Sequence, residues 1–348
     1  MINFGYLGIH IAFTLATSQM SRIFQTLGAD PTKLGWFFIL PPLAGLVVQP
    51  AIGSFSDRTW APKLGGRRLP YLLIGMIFAV IMMLFLPNIG SLGLGYGSIE
   101  ALVFGAIAIA ILDVAANMAM QPFKMMIGDM VNDEQKSYAY GIQSMLSNSG
   151  AVIAAFFPFL LTVLGVANTA KKGVVPQSVV ISFYVGATIL VITSLLSVTK
   201  VHEYDPKTYA RYHGIKEEDN KECGNWFELL KKAPKVFWQV SLVQLFCWFS
   251  FQYLSTYATG AIAENVWKVT DPSSAGYQLA GNWFGVLTAV QSIAAVIWSY
   301  VLAKVPNDHH KVGYGISLLL GAIGYGSIFF VHSQNILIVS FILIGISW

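Results

Sequence analysis

Charged residues and cysteine are both scarce in this sequence. Asp, Glu, Lys and Arg together make up 11% of the 348 residues, whereas soluble domains carry about 25% charged residues. This composition argues against a soluble globular protein. The two cysteines, Cys223 and Cys247, offer neither a disulfide framework nor a metal-ligand spacing. We therefore predict no disulfide and no structural metal.

The sequence also lacks the short motifs of nucleotide-driven pumps and of common hydrolases. It contains no GxxxxGK[ST] phosphate-binding loop, no HExxH zinc motif and no GxSxG nucleophile elbow. The net charge of +4 does not indicate nucleic-acid binding, because the basic residues flank hydrophobic segments and form no recognition helix. We expect no enzyme, no cofactor and no nucleic-acid partner, and any transport would be driven by an ion or solute gradient.

Long hydrophobic segments dominate what is present. Hydrophobic residues make up 55% of the chain, and about 20 apolar residues suffice for one helix to cross a bilayer. The pattern predicts an all-α polytopic membrane protein with nine full spans and a tenth that is interrupted at Trp348 and is expected to continue beyond it. The predicted spans lie near residues 3–25, 35–56, 70–88, 97–123, 138–165, 178–199, 236–262, 279–303, 311–331 and 336–348.

The distribution of positive charge predicts the orientation. With a cytoplasmic amino terminus, 16 of the 21 Lys and Arg residues fall on the inner side, as expected because basic loops are retained in the cytoplasm. The outer side then receives only five basic residues, among them Arg22.

A dense charged segment divides the chain. Residues 1–200 hold six predicted spans, 201–235 form a cytoplasmic interdomain loop, and 236–348 form a second half with spans seven to nine and the start of the tenth. Within the loop, Asn225 and Glu228 are spaced as a helix capping box, with Pro234 after them. Six spans, a charged loop and further spans are typical of a transporter built from two six-helix halves.

Asp113 is the sharpest candidate for chemistry. It lies near the middle of the fourth predicted span, where an ionisable group costs about 2.5 to 3.5 kcal/mol on insertion scales and indicates function. A carboxyl that holds and releases a proton there suits a proton-coupled transporter. Asn117, Gln121 and Lys124 follow within one helical arc. The alternative is a structural carboxyl that is hydrogen-bonded to a neighbouring helix.

Weaker polar candidates lie in the first and fifth spans. His10 begins a helical stripe that continues through Thr14, Thr17 and Ser21, and such a face suits a wet cavity better than lipid. His10 either binds substrate or shares a proton, or it is a neutral histidine hydrogen-bonded between helices. Gln143 in the fifth span is a similar candidate.

The seventh span mixes polar and aromatic side chains. Sugars are bound through hydrogen bonds to their hydroxyls and an aromatic face against their C–H surface, and Trp248, Gln252 and Tyr253 offer both. The alternative is a tightly packed helix whose aromatic residues face lipid or neighbouring helices.

Two motifs resemble a known family. The sequence GSFSDRTWAPKLGGRRLPY at residues 53–71 is similar to the major facilitator signature loop between spans two and three, in the form found in the sucrose-transporter branch of the glycoside–pentoside–hexuronide cation symporters. LDVAANMAMQPFKMMIGD at residues 112–129 resembles the fourth span of that branch. The compact loops are more similar to those of a bacterial member.

The resemblance implies proton-coupled symport of a disaccharide such as sucrose or maltose by alternating access in the cytoplasmic inner membrane. Its expected partners are a sugar, a proton and membrane lipid, and the protein is expected to be monomeric. Asp113 would accept the proton. The gating loop would comprise Asp57, Arg58, Arg67 and Arg68, with Asp57 contacting a helix end in the other half. The alternatives are a sodium-coupled or uniport carrier of another glycoside, and a nontransporting sugar sensor.

Overall fold

A computed structural model describes residues 3–93, 96–213, 231, 233–303 and 310–348. Ten long helices account for most of this part of the chain, and it contains no β-strand beyond an isolated bridge between Ala61 and Gly66. The predicted all-α class is confirmed. The helices are α1 Phe4–Thr26, α2 Leu40–Arg58, α3 Leu69–Phe85, α4 Ile99–Met130, α5 Asp133–Val163, α6 Gln177–Lys200, α7 Lys235–Val266, α8 Ala275–Ala303, α9 His310–Ser327 and α10 Leu337–Ser347.

Each predicted span coincides with one of these helices. Within the described residues, five helical segments are long and apolar enough to cross a membrane, namely Leu69–Leu92, Ile99–Met130, Glu134–Val163, Gln177–Lys200 and Ala275–Leu302. Helix α1 is more polar because it buries side chains such as Gln19, Arg22 and Gln25 inside the protein. Its polarity therefore reflects contacts with other helices.

Local sequence signals set several helix ends. Ser98 precedes α4, and its hydroxyl accepts a hydrogen bond from the Ala101 N–H at 3.1 Å, as an N-cap does. Pro176 and Pro234 lie directly before α6 and α7. Pro122 lies inside α4 without ending it. The predicted helix near Asn225 and Glu228 lies outside the described residues.

The described helices form two groups, each with its own apolar core. The core of the first group, α1 to α6, consists of buried apolar residues between Tyr6 and Val201. The core of the second group, α7 to α10, consists of buried apolar residues between Ala258 and Phe341. Large side chains such as Phe24, Phe123 and Phe341 are fully buried in these cores. Burial of apolar area thus stabilises each group separately.

The two groups meet at one end of the bundle, which we call the Arg22 end. Helices α1 and α5 of the first group pack against α7 and α8 of the second group. Among the described residues, the hydrogen bonds between the groups lie at this end, for example from the Ser21 hydroxyl to the Thr256 carbonyl. The opposite end, which carries the loop before α3, is called the Arg68 end. Towards it, side chains such as Tyr138 and Phe249 are exposed.

We expect the contact between α5 and α8 to be sensitive to a single methyl group. A Cβ at Gly285 would overlap the carbonyl oxygen of Ala155, and overpacking of this kind costs about 1 to 3 kcal/mol. Gly285→Ala should therefore lower the melting temperature of the purified protein. Gly141→Ala on α5 is the control, because nothing lies within 4 Å of its added methyl group, and it should be neutral or stabilising. Equal melting temperatures for the two variants would contradict this packing.

Candidate functional site

Asp113 lies in the middle of α4 with its side chain half-buried. Its carboxylate accepts a hydrogen bond of 2.9 Å from the Asn117 side-chain amide, which also donates to the Asp113 carbonyl at 2.9 Å. Among the described residues, Asp113 has no ion-pair partner. A carboxyl with only a neutral partner can change its protonation state without breaking a salt bridge.

Helix α2 extends this arrangement into a network. The Gln49 amide donates to the Asn117 oxygen at 2.7 Å, and the Gln121 amide donates to the Gln49 oxygen at 2.9 Å. We call Asp113, Asn117, Gln49 and Gln121 the polar network. Gly45 on α2 lies beside Asp113 and Asn117, and a Cβ added there would be in ordinary van der Waals contact with both side chains.

The polar network is accessible. Gln49 is exposed, and Asn117 and Gln121 are half-buried. The predicted stripe of Asp113, Asn117 and Gln121 is therefore brought together, and Lys124 is exposed one turn further along. Sequence reasoning missed Gln49. The available signal was an amide next to Pro50 in the otherwise apolar stretch 40–52.

The polar stripe on α1 contains hydroxyls that bond to backbone carbonyls and a histidine with a ring nitrogen that is unpaired among the described residues. The Thr17 hydroxyl donates to the carbonyl of Phe13 at 3.1 Å, and that of Ser21 donates to α7. These two hydroxyls are satisfied by backbone within the protein. His10 is half-buried against the Tyr6 ring at 4.6 Å, and its Nε2 has no hydrogen-bond partner in the described part of the chain.

Gln143 is also buried, with an amide nitrogen that has no partner among the described residues. Among the described residues, no hydrogen bond joins Gln143 or His10 to the polar network. Both side chains thus retain unused hydrogen-bonding capacity in the interior of the first group.

The aromatic candidates on α7 are placed differently. Trp248 is half-exposed and packs against Phe251 and Trp348, with ring centroids 5.9 and 5.4 Å away. Tyr253 is exposed and lies 4.7 Å from the Tyr257 ring. Gln252 is half-buried. None of these recorded contacts joins them to the polar network.

The predicted gating loop contains an ion-pair cluster at the Arg68 end. The buried Arg68 guanidinium lies 2.6 Å from the Asp57 carboxylate and 3.2 Å from that of Asp129 at the end of α4. It also donates to the Ser56 hydroxyl. Asp57 was expected to contact a helix of the other half. Among the described residues its ion-pair partner is Arg68 of the same loop, and the contact expected when this end is closed stays a prediction.

Glu203, in the segment after α6, holds this loop at the start of α3. Its carboxylate accepts hydrogen bonds from the backbone N–H groups of Arg67, Arg68 and Leu69 at 3.1, 2.8 and 3.0 Å. Burial raises the pKa of Glu203, and these backbone hydrogen bonds oppose that shift. Sequence reasoning missed this residue, which satisfies N–H groups that a helix start leaves without partners.

The same segment makes a second contact with the loop. The Arg67 guanidinium lies 4.2 Å from the centre of the Tyr209 ring, within the range of a cation–π interaction. The Tyr209 hydroxyl donates to Asp129 at 3.3 Å. The gating loop is therefore attached to the chain that leaves α6, while Arg58 is exposed.

We expect Glu203→Ala to loosen the start of α3. Three N–H groups would lose their acceptor, and a net loss of about 1 kcal/mol corresponds to exchange that is several-fold faster. Hydrogen–deuterium exchange of a peptide covering residues 66–70 measures this change. Glu264→Ala, at an exposed carboxylate of α7, is the control. Unchanged exchange in Glu203→Ala would show that the backbone does not depend on this carboxylate.

Arg22 is the third polar centre and has a fully buried side chain. The guanidinium donates to Gln278 at 2.6 Å and to Asn282 at 2.8 Å, both on α8, and to Asn168 at 2.8 Å in the α5–α6 connection. A longer contact of 3.3 Å reaches Gln19. Sequence reasoning treated Arg22 only as one of the few outer charges.

The amides around Arg22 are themselves anchored. Gln278 donates to the Pro272 carbonyl at 2.6 Å and to the Thr26 hydroxyl at 3.2 Å, and Asn282 donates to the Thr162 hydroxyl at 2.7 Å. Their oxygens are thereby oriented towards the guanidinium. No carboxylate pairs with Arg22 in the described ranges. In the same ranges, no group of three or more His, Cys, Asp or Glu side chains is placed to hold a metal ion.

Curated relatives match part of the chain. The Sucrose transport protein SUC4 of Arabidopsis thaliana is 26% identical over 254 residues, which cover 69% of this chain and 49% of that protein. Solute carrier family 45 member 4 of Homo sapiens is 26% identical over 157 residues, covering 42% and 19%. The match thus spans about half the length of the plant relative and less of the human one.

Solved structures share the fold over almost the whole chain. The xylose transporter XylE from E. coli, in a partially occluded inward open conformation, superimposes with a TM-score of 0.65 at 14% identity, covering 100% of this chain and 82% of that one. A bacterial homologue of the human lysosomal transporter Spinster, in an inward-facing and occupied conformation, gives 0.64 at 17% identity, covering 99% and 70%.

The family model that describes the Major Facilitator Superfamily matches residues 2–348. The predicted fold is thereby confirmed, together with the resemblance to the sucrose-transporter branch at modest identity. The chain is a multi-pass membrane protein that belongs to the Major Facilitator Superfamily.

Proposed function

We propose that this protein is a proton-coupled symporter of a disaccharide, sucrose-like or maltose-like, that works by alternating access. The observation that carries the proposal is Asp113, a half-buried carboxyl in the middle of α4 with a neutral partner and an accessible polar network around it. Proton binding there changes the charge inside the membrane, which is the kind of event that can couple a proton to a solute. The plant relatives named sucrose transport proteins support the choice of substrate.

The sugar site is proposed between the two helix groups. Asn117 and Gln121 offer amide donors and acceptors for sugar hydroxyls beside the proton site. His10 and Gln143 supply further buried nitrogens that have no hydrogen-bond partner in the described part of the chain. On the second group, Trp248, Gln252 and Tyr253 form the facing wall, and rearrangement of the groups would bring them towards the sugar.

The orientation follows from charge. Because 16 of the 21 basic residues fall on one side of the predicted spans, we place that side, with the Arg68 end and the amino terminus, in the cytoplasm. We propose that the protein lies in the cytoplasmic inner membrane. We propose that residues 1–200 form the first half, that 201–235 form the connecting loop and that 236–348 belong to the second half. The protein is proposed to act as a monomer within the lipid bilayer.

The gating loop closes the Arg68 end during the cycle. In this structure Asp57 and Arg68 pair within the first group, and Arg67 is held by Tyr209. Closing would let Asp57 and the exposed Arg58 reach the second group. The connection through Glu203 would carry that movement to the interdomain loop.

Sugar uptake into proteoliposomes tests the coupling directly. The full-length protein should accumulate labelled sucrose or maltose when a proton gradient is imposed, and a protonophore should abolish this accumulation. Accumulation driven by sodium alone would favour the sodium-coupled alternative, and equilibration without accumulation would favour a uniporter. Sugar binding without any transport would favour a sensor. Each of these three outcomes contradicts proton symport.

Asp113→Asn tests the proton site. Asn has the same size and can still accept a hydrogen bond from Asn117, but it cannot exchange a proton. Gradient-driven accumulation should be lost, while exchange of labelled for unlabelled sugar continues. Glu100→Gln is the matched control, because Glu100 is an exposed carboxylate in the first turn of the same helix. Wild-type accumulation by Asp113→Asn would remove the proposed role.

A further inference from the structure

Arg22 connects the two helix groups through amide oxygens. Gln19 and Asn168 belong to the first group, and Gln278 and Asn282 belong to α8 in the second group. The guanidinium therefore contributes hydrogen bonds both within one group and across the interface. The two contacts across the interface, to Gln278 and Asn282, measure 2.6 and 2.8 Å.

Burial makes these contacts essential to the closed Arg22 end. A guanidinium with no exposed surface has lost its hydration, and its charge is tolerated only if its donors find acceptors. Gly281 on α8 makes room for it, since a Cβ there would come within 2.6 Å of the Arg22 Cδ. Separating the groups removes the acceptors of α8 and exposes the cation to water.

The acceptors are neutral, and this determines how readily the contact opens. A buried carboxylate would bind the guanidinium more strongly than an amide does, because charge-assisted pairs are the stronger hydrogen bonds. Water can replace an amide oxygen as a partner of the cation at lower cost. The side-chain nitrogen of Gln19 beside this cluster has no hydrogen-bond partner in the described ranges. This buried hydrogen-bond donor is therefore unpaired among the described residues when this end is closed.

At the Arg68 end, the buried arginine has charged partners instead of neutral ones. Its buried cation pairs with the carboxylates of Asp57 and Asp129, all within the first group. Those ion pairs can persist when the groups separate, whereas the Arg22 contacts to α8 cannot. Of the two buried arginine clusters, the Arg22 cluster is the one whose contacts cross between the groups and are lost when the groups separate.

We propose that Arg22, Gln278 and Asn282 form a neutral lock that holds the Arg22 end closed and opens in each transport cycle. Arg22 is thus a positioning residue that acts on the equilibrium between conformations. The inference rests on the alternating access in the proposed function. It does not depend on the identity of the sugar or of the coupling ion.

Distance measurement across this end tests the lock. Spin labels at Lys171→Cys, in the α5–α6 connection, and Thr270→Cys, between α7 and α8, are exposed and lie outside the lock. The background carries Cys223→Ser and Cys247→Ser. Double electron–electron resonance on the full-length protein in lipid nanodiscs then gives the ratio of open to closed populations at the Arg22 end.

Arg22→Gln should raise this ratio about tenfold or more, because the guanidinium donors to Gln278 and Asn282 are lost. Asn282→Asp should lower the ratio, because it places a carboxylate across the interface against the Arg22 cation. The Thr162 hydroxyl, which now accepts from Asn282, can rotate to donate to the new carboxylate.

Asn168→Asp is the matched control for Asn282→Asp. It makes the same change against the same guanidinium, and its carboxylate can still accept the hydrogen bonds from Arg22 and Ser178. Because Asn168 belongs to the first group, the new ion pair does not bridge the groups. The ratio should therefore not fall. A general stabilisation of Arg22 by negative charge would instead lower the ratio in both variants.

The lock is overturned if Asn282→Asp and Asn168→Asp give the same distances, or if folded Arg22→Gln remains as closed as wild type. If Arg22→Gln does not fold, the comparison of the two aspartate variants decides. Lys33→Gln removes an exposed cation at the same end and should leave the distances unchanged. Failure of sugar uptake with intact shifts in distance would contradict the proposed substrate and leave the lock standing.

Discussion

The burial of polar groups between helices is the constraint on which this structure depends. In a bilayer a polar side chain finds partners within the protein or pays a large desolvation cost. Arg22 shows the constraint at its strongest, since four amide side chains from α1, α8 and the α5–α6 connection surround one cation. The first group packs against the second at the end where these acceptors are supplied.

Three polar centres lie at different levels of the helix bundle and have different kinds of partner. At the Arg68 end, a cation paired with two carboxylates keeps the loop attached to its own group. At the Arg22 end, a cation with neutral partners joins the groups. Between them, Asp113 keeps an amide partner and remains accessible through the polar network. The ion pairs thus stay within one group, and the weaker contacts with neutral partners lie where the proposed cycle would separate the groups or bind a proton.

Much of the site on α4 could be predicted from sequence, whereas its partner on α2 could not. Asp113, Asn117 and Gln121 lie on one face because helical periodicity relates residues of a single segment. Gln49 joins them from a different helix, 68 residues away from Asn117, and no local pattern specifies that register. The polar stripe on α1 shows that helical spacing alone does not predict a site. Thr17 and Ser21 have the expected spacing, but their hydroxyls donate hydrogen bonds to backbone carbonyls.

The membrane class, the helix positions, the charge asymmetry and the carboxyl in α4 are predictable from the sequence, because hydrophobic runs and helical spacing are local properties. The contacts of Glu203 and Arg22 are not, because they depend on how distant helices pack. Glu203 contacts N–H groups that lie 134 to 136 residues earlier, and Arg22 reaches Asn282 across 260 residues. Such contacts exist only after helices have packed, because the partners of a buried polar group are chosen by the neighbouring surface.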